Sequence, residues 1–250
     1  MAADYPNRKY RGIAASAALL GLVVGGCALP AGAFGTGGPA VATDYACAER
    51  ALRNSSTRAL LPGASETLSE ACQQGDAGAC SVLGVMHELG RGAPRDPRRA
   101  VELFAQACSQ GSARGCLNLG AAYAAGAGVP RSALHAARGF DQACAANSAE
   151  GCFRLGQLYQ QGQGVARDPS RAIDLFEQSC SAGHGRGCLA LGAMHEQAAT
   201  GPQDRVRTQE LYAEACARGE AAGCTGLDRL HLQSAERSAA VAATGHVASN

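Results

Sequence analysis

The sequence contains no tryptophan, and aromatic residues make up only 4% of its 250 positions. The usual catalytic motifs are missing too: there is no P-loop, no G-x-S-x-G, no dinucleotide fingerprint and no HExxH zinc motif. Lysine occurs once, at Lys9. Because alanine, leucine and glycine dominate the composition, we expect thin elements that pack closely rather than a bulky core.

Neither sign of charge dominates, since the chain carries 22 basic and 21 acidic residues. A basic stripe with interleaved aromatic residues, which would indicate nucleic-acid binding, is absent from the sequence. His87, His195 and His231 recur at one position of different repeats, so they are interpreted as residues at the core edge rather than as metal ligands. The sequence therefore predicts no nucleic-acid partner, no metal site and no cofactor.

What the sequence does contain is a cysteine pair that returns five times. The two cysteines of a pair are eight positions apart, and successive pairs are 36 residues apart. The pairs are Cys72 and Cys80, Cys108 and Cys116, Cys144 and Cys152, Cys180 and Cys188, and Cys216 and Cys224. A fixed period of this size predicts stacked supersecondary units rather than one globular core.

Each 36-residue repeat has the pattern of two helices. In the first copy, Leu83, Gly84 and His87 follow the second cysteine by three, four and seven positions. Later copies again carry a leucine, a small residue and a ring-bearing residue at these positions. This spacing places side chains on one helix face, and the glycine lets another helix approach closely. A second helix is expected to begin at an N-cap column and to carry a ring. The N-cap column is Asp96, Ser132, Asp168 and Asp204; the ring column is Phe104, Phe140, Phe176 and Tyr212.

This register resembles the Sel1-like repeat, a relative of the tetratricopeptide repeat. The matching motifs are LGxxY at 119–123 and D-P-x-x-A-x-x-L-F at 168–176. The cysteine pairs make it similar to the secreted, cysteine-rich Hcp type. The resemblance covers about residues 65–234 and implies an all-α fold, an α/α superhelical solenoid of 36-residue helical hairpins.

The same resemblance implies that the cysteine pairs form disulfides, as expected in an oxidising compartment. Zinc binding is disfavoured because the eight-residue spacing lacks a CxxC knuckle, and reduced core thiols are the other alternative. Helix geometry and loop entropy leave both Cys72–Cys80 and Cys80–Cys108 open. The longer scheme would leave Cys72 and Cys224 without partners, and the resemblance supports the short one. We therefore predict one disulfide within each pair.

Residues 1–26 are predicted to be a secretion signal of the lipoprotein type. Arg8, Lys9 and Arg11 precede a twelve-residue apolar run, which is short for a membrane span of about 20 residues. The run ends in Val-Gly-Gly-Cys, which resembles the bacterial lipobox and predicts lipidation of Cys27. Ordinary signal cleavage near Ala33 is the alternative.

The remaining boundaries follow from composition and register. Residues 27–43 are predicted to be a flexible tether, and residues 44–75 a degenerate capping hairpin. Residues 76–233 are predicted to form four full hairpins and a terminal helix, followed by a disordered tail at 234–250. Cys47 falls in the leucine column, which favours a buried small apolar residue; a free thiol available for intermolecular pairing is the alternative.

The preferred function is a protein-interaction scaffold or adaptor of the bacterial cell envelope. It would be exported to the periplasm or outer membrane, or secreted, and would bind a protein or peptide on its concave face. Positions 2, 5 and 9 after the second cysteine vary between repeats and are expected to face outward there, although any solvated face would also vary. The candidate residues are Val82, Val85, Leu89, Asn118, Arg154, Gln157, Gln161 and Gln197.

The alternative function, suggested by the Hcp resemblance, is β-lactam binding or weak β-lactam hydrolysis. A serine β-lactamase needs the lysine of an S-x-x-K motif beside its nucleophile. Lys9, the single lysine, lies inside the predicted signal. No catalytic residue is therefore predicted, and the chain is interpreted as a binding protein rather than an enzyme.

Overall fold

A computed structural model describes residues 22–24, 27–29, 39–54, 63–198 and 201–245. The basic start of the predicted signal and the alternative cleavage position near Ala33 lie outside these residues. So do the final five residues of the predicted tail.

Two short strands precede eleven helices in the described part of the chain. The strands β1 (Leu22–Val24) and β2 (Cys27–Leu29) pair in antiparallel fashion, with Val24 opposite Cys27. The helices are α1 (Pro39–Arg53), α2 (Ala64–Gln73), α3 (Ala77–Leu89), α4 (Pro97–Ser109), α5 (Ala113–Ala125), α6 (Ala133–Ala145), α7 (Ala149–Gln161), α8 (Pro169–Ser181), α9 (Gly185–Ala198), α10 (Pro202–Ala217) and α11 (Ala221–Gly245).

The chain divides into two compact units, unit 1 (residues 1–146) and unit 2 (residues 147–250). In unit 1, α3 packs against α4, and α5 packs against α6. In unit 2, α7 packs against α8, and α9 packs against α10. The predicted fold class, an α/α solenoid of 36-residue helical hairpins, is confirmed.

Helix boundaries differ from prediction at both ends of the chain. Helix α1 begins at Pro39 rather than at Asp44, so it includes the end of the predicted tether. Proline is favoured in the first turn because its missing N–H needs no partner there. Helix α11 continues to Gly245, so helix replaces most of the disordered tail expected from residue 234. The alanine-rich composition of this stretch favours helix.

The N-cap prediction is confirmed for three second helices. The side chains of Asp96, Ser132 and Asp168 accept hydrogen bonds from backbone N–H groups in the first turns of α4, α6 and α8. Asp204 is different, because α10 begins earlier, with Gly201 as the N-cap residue. There the Asp204 carboxylate lies in the first turn and accepts a hydrogen bond of 3.0 Å from the Gly201 N–H.

The hairpin core is a contact between a glycine of the first helix and the ring of the second helix. A Cβ added to Gly84 would lie 2.5 Å from the Phe104 ring, and one added to Gly156 would lie 2.7 Å from the Phe176 ring. Both rings are buried, with 1% and 0% of their surface exposed. A larger residue in this column would therefore push the two helices apart.

Within each unit, disulfides join the end of a second helix to the start of the next first helix. Cys72–Cys80, Cys108–Cys116, Cys180–Cys188 and Cys216–Cys224 are all bonded, with Cα–Cα separations of 4.5 to 4.7 Å. Cys144 and Cys152, which continue the register, are disulfide-bonded as well. Each nine-residue ring restricts the unfolded chain, by roughly 2.5 kcal/mol in the loop-entropy account.

Cys47 departs from both sequence interpretations. It is exposed rather than buried, and it is disulfide-bonded rather than a free thiol. The position of Cys47 in the leucine column does not predict its burial, because α1 does not occupy the place of a regular first helix.

We expect Gly156→Ala to lower the free energy of unfolding by about 1–3 kcal/mol, because the new methyl group overlaps the Phe176 ring. Urea unfolding followed by circular dichroism measures this. Gly201→Ala is the control, since its Cβ would meet its nearest neighbour, Asp204 Oδ2, at an ordinary 3.7 Å. Equal losses in the two variants would contradict the close-approach explanation.

Candidate protein-binding surface

The candidate surface is the first-helix face: the side chains 2, 5 and 9 positions after the second cysteine of each pair. On α3, Val82 and Val85 have no exposed surface, and Leu89 is partly buried against the same core. On α5, Asn118 is buried, with 9% of its surface exposed. The prediction that Val82, Val85 and Asn118 face solvent is therefore wrong.

Helix α1 covers these residues. It packs against α3 rather than forming a close hairpin with α2, so residues 44–75 do not form the expected capping hairpin. Its apolar stripe of Tyr45, Ala48 and Leu52 is buried. The Tyr45 ring fills the space above Gly78, where an added Cβ would lie 2.2 Å from the ring. The first-helix face of unit 1 thus already holds a helix.

The centre of this contact is a buried carboxylate on α1. Glu49 is 1% exposed, and its Oε1 accepts a 2.6 Å hydrogen bond from the Ser81 hydroxyl. Its Oε2 accepts from Arg114 at 3.2 Å and from the Asn118 amide at 3.5 Å. A buried carboxylate is tolerated only when it is paired and hydrogen-bonded, and these three donors meet that need. The polar residues of α3 and α5 therefore form a receptor for an acidic side chain.

Polar contacts also hold the two ends of α1. The Tyr45 hydroxyl donates to Asp76 Oδ2 at 2.7 Å. Burial, and then this hydrogen bond, raise the pKa of Tyr45 above its usual range, so the hydroxyl stays protonated and remains a donor. At the other end, Arg53 donates to Asn118 Oδ1 at 3.2 Å and forms an ion pair of 3.1 Å with Glu88.

Sequence reasoning missed this use of α1, although a signal was present. Tyr45, Ala48 and Leu52 are spaced to share one helix face, and Glu49 lies beside that stripe. An acidic residue beside such a stripe is buried only when it has partners. The partners could not be identified from the sequence, since Ser81, Arg114 and Asn118 lie 32 to 69 residues away.

The first-helix face of unit 2 is more open. Arg154 and Gln157 on α7 are half-buried, while Gln161 on α7 and Gln197 on α9 are exposed. Arg154 pairs with Glu150 one turn earlier, at 2.9 Å. The structure therefore gives the predicted face residues two environments: those on α3 and α5 lie beneath α1, and those on α7 and α9 contact solvent.

An aromatic and basic cluster borders this open face. The Arg186 guanidinium lies over the Phe153 ring, 4.9 Å from its centre, and the His184 ring lies 5.2 Å from the same ring. Burial lowers the pKa of His184, which favours its neutral form. The positive charge beside Phe153 is thus that of Arg186.

The other border of the face is an ion pair between α9 and α11. Arg229 donates to both carboxylate oxygens of Glu196, and the Tyr212 hydroxyl donates to Glu196 Oε2 at 2.6 Å. The Arg229 hydrogen bonds hold the pKa of Glu196 below its usual value. Burial, and then Glu196, raise the pKa of Tyr212 to about 12. Glu196 and Tyr212 therefore link α9, α10 and α11.

The predicted histidine column makes local contacts. His87 Nδ1 lies 3.0 Å from the Pro94 carbonyl oxygen, and the equivalent Tyr123 stacks on His135 with 4.8 Å between ring centres. Among the residues that the structure describes, no three His, Cys, Asp or Glu side chains lie close enough together to hold a metal ion. In the same residues, no helix has the length and apolar character needed to span a membrane.

Comparison with known proteins identifies the repeat. The sequence profile of the Sel1 repeat matches residues 77–112, 113–148, 149–184 and 185–220, which is more than half of the chain. The chain belongs to the Sel1 repeat family. No protein in the curated collection of characterised sequences matches it.

Several solved structures share the Sel1 fold. A protective antigen present in uropathogenic Escherichia coli strains is 25% identical with a TM-score of 0.63, over 76% of this chain and 44% of that protein. This chain therefore spans less than half of that antigen. A Sel1 repeat protein from Oxalobacter formigenes is 22% identical with a TM-score of 0.60, over 76% of this chain and 78% of the other.

Cysteine-rich protein B of Helicobacter pylori is also similar, with 24% identity and a TM-score of 0.44, over 57% of this chain and 96% of that protein. Sel1 repeat proteins generally mediate protein–protein interactions. The family thus supports a scaffold for protein interaction, and the number of disulfides in this Sel1 protein indicates an oxidising extracellular or periplasmic location.

We expect Glu49→Ala to weaken the docking of α1, because Ser81 and Asn118 lose their buried acceptor. The loss should be about 1–3 kcal/mol. Hydrogen exchange of the α1 backbone amides should then be roughly tenfold faster or more. Glu70→Ala is the control, since Glu70 is exposed on α2. Unchanged exchange in α1 for Glu49→Ala would show that the buried carboxylate does not hold the helix.

Proposed function

We propose that this Sel1 repeat protein is an exported, lipid-anchored scaffold of the bacterial cell envelope that binds a protein partner on the first-helix face of unit 2. The observation that carries the proposal is the docking of α1 in unit 1. There, a helix of the chain itself covers Val82 and Val85 on α3, whereas Arg154 and Gln157, which hold the equivalent positions on α7, are only half-buried.

The 36-residue register makes the comparison between units specific. Positions two repeats apart are equivalent, so Val82 corresponds to Arg154, and Val85 corresponds to Gln157. Val82 and Val85 are buried under α1, whereas Arg154 and Gln157 are half-buried and polar. A face whose equivalent already receives a helix is well suited to receive a partner, because helix-in-groove binding is a common recognition mode.

Amide and guanidinium groups on this face support a protein ligand rather than a small molecule. Arg154, Gln157 and Gln161 offer hydrogen-bond donors and acceptors along one side of α7. Such groups, spread along a helix rather than gathered in an enclosed cavity, suit an extended protein surface.

Export and anchoring rest on the N-terminal sequence and the disulfides. Disulfides persist in oxidising compartments, and a basic stretch followed by an apolar run and Val-Gly-Gly-Cys is the order of a lipoprotein signal. Ala28 after the cysteine favours the outer membrane. One structural relative is described as a protective antigen, which fits an exported protein.

We expect the triple variant Arg154→Ala, Gln157→Ala and Gln161→Ala to lose capture of the partner. The tagged full-length chain is incubated with envelope extract, and proteins retained by the unaltered chain are identified by mass spectrometry. A protein bound to the open face of unit 2 should disappear from the triple variant.

The matched control changes one arginine and two glutamines that are exposed elsewhere in unit 2: Gln163→Ala, Gln203→Ala and Arg205→Ala. This variant should capture the same protein as the unaltered chain. If the first triple variant retains the partner, or if both variants lose it equally, the proposed face is not the binding surface.

We expect Cys27 to carry a diacylglyceryl group in chain purified from bacterial membranes. The thioether would occupy the Cys27 sulfur, so lipidation excludes a disulfide between Cys27 and Cys47, a residue that is disulfide-bonded in the structure. Mass spectrometry of non-reduced peptides should show the lipid mass on the Cys27 peptide, and Cys27→Ser should leave the membrane fraction. A Cys27 peptide linked by a disulfide to Cys47 would overturn the anchor.

A further inference from the structure

The docking of α1 shows which chemistry the first-helix face accepts. In unit 1, Glu49 meets Arg114, which lies in the first turn of α5, together with the Ser81 hydroxyl on α3. The start of a helix also favours negative charge, because its N–H groups point toward the acid. One carboxylate is therefore bound by two groups: a positive residue at the start of one first helix, and a hydrogen-bond donor on the preceding first helix.

In unit 2 only the arginine of this donor set is kept, and it has no acidic partner in the part of the chain that the structure describes, while Phe153 and Ala190 stand in place of Ser81 and Asn118. Arg186, two repeats after Arg114, lies in the first turn of α9 and is exposed. Its guanidinium stacks on Phe153, which stands two repeats after Ser81. Within the described residues, Arg186 makes no hydrogen bond or ion pair, whereas Arg114 is paired with Glu49.

We propose that the first-helix face of unit 2 binds an acidic amphipathic helix of a partner protein, with Arg186 receiving a carboxylate of that helix. The inference rests on the proposed function, since it names the kind of partner for the same face. Stacking on the Phe153 ring leaves the N–H edge of the Arg186 guanidinium available for a two-pronged contact with a carboxylate.

The lining of the face suits a helix. Ala190 and Ala193 on α9 are half-buried and small, so the backbone of a ligand helix can approach closely. Arg154 on α7 adds a second positive group, which is already shared with Glu150. Arg186 is therefore the cation that remains for the partner.

The partner helix proposed for this face is not the α1 helix of a second copy of the chain. In unit 1 the Tyr45 ring lies against Gly78, where any side chain would clash. The equivalent position in unit 2 is Glu150, whose side chain pairs with Arg154. An α1 helix placed on unit 2 in the same way would meet this ion pair with its tyrosine ring.

The test uses the full-length chain and two fluorescent helical peptides. Both peptides have alanine and leucine on one face; one has a central glutamate in that face, and its twin has glutamine. Fluorescence anisotropy should give roughly five- to tenfold tighter binding of the glutamate peptide. The variant Arg186→Gln should lose this preference, and Arg186→Lys, which keeps the charge, should retain part of it.

Arg205→Gln is the matched control, because Arg205 is an exposed arginine on α10, and it should keep the full preference. Equal affinity for the two peptides, no binding of either, or an unchanged preference in Arg186→Gln would overturn the inference. Equal or tighter binding of a peptide with the sequence of residues 39–54 would instead favour a second copy as occupant and would also overturn it.

These outcomes separate the inference from the proposed function. If the Arg154, Gln157 and Gln161 triple variant loses the captured partner while the twin peptides bind alike, the face binds a protein but does not select for acid. If the triple variant keeps the partner, the function itself fails, whatever the peptides do.

Discussion

The close approach of two helices in each hairpin is the constraint on which the rest of the structure depends. A glycine of the first helix faces the ring of the second helix, and no Cβ fits between them at Gly84, Gly120 or Gly156. This contact sets the distance between the helices without a large core, as expected for a chain with few aromatic residues. Within each unit, the disulfides then fix a second helix to the following first helix.

A rigid repeat of this kind lets the surface vary, and the two units use that freedom differently. In unit 1 the first-helix face is apolar at Val82 and Val85 and is covered by α1, with Glu49 buried among donors. In unit 2 the same columns carry polar residues on α7 and alanines on α9, and Arg186 has no acidic partner in the described part of the chain. One scaffold thus presents one face that is occupied and one that is open.

The hairpins could be predicted from sequence because their determinants are local and repeated. N-caps, glycines, rings and cysteines recur every 36 residues, so each copy supports the assignment of the others. The predictions that failed lie where a repeat departs from this regular pattern. Asp204 was expected to cap α10, but Gly201 begins that helix earlier. Likewise, Cys47 was placed by register in a helix that does not follow the register.

The candidate site was predicted less well, and the reason is physical. The register determined which residues share the first-helix face, and that assignment depends on helical periodicity alone. Whether the face meets solvent depends on contacts between distant segments. Val82 and Asn118 are buried because α1 packs on them, and no local pattern near either residue records that contact.

By itself, then, the sequence determined the repeat, its helices and its cysteine register, because each follows from side chains a few positions apart. Only the tertiary structure decided which part of the first-helix face is closed. Burial of Glu49 requires Ser81, Arg114 and Asn118 together, and chain folding alone brings these residues within hydrogen-bonding distance.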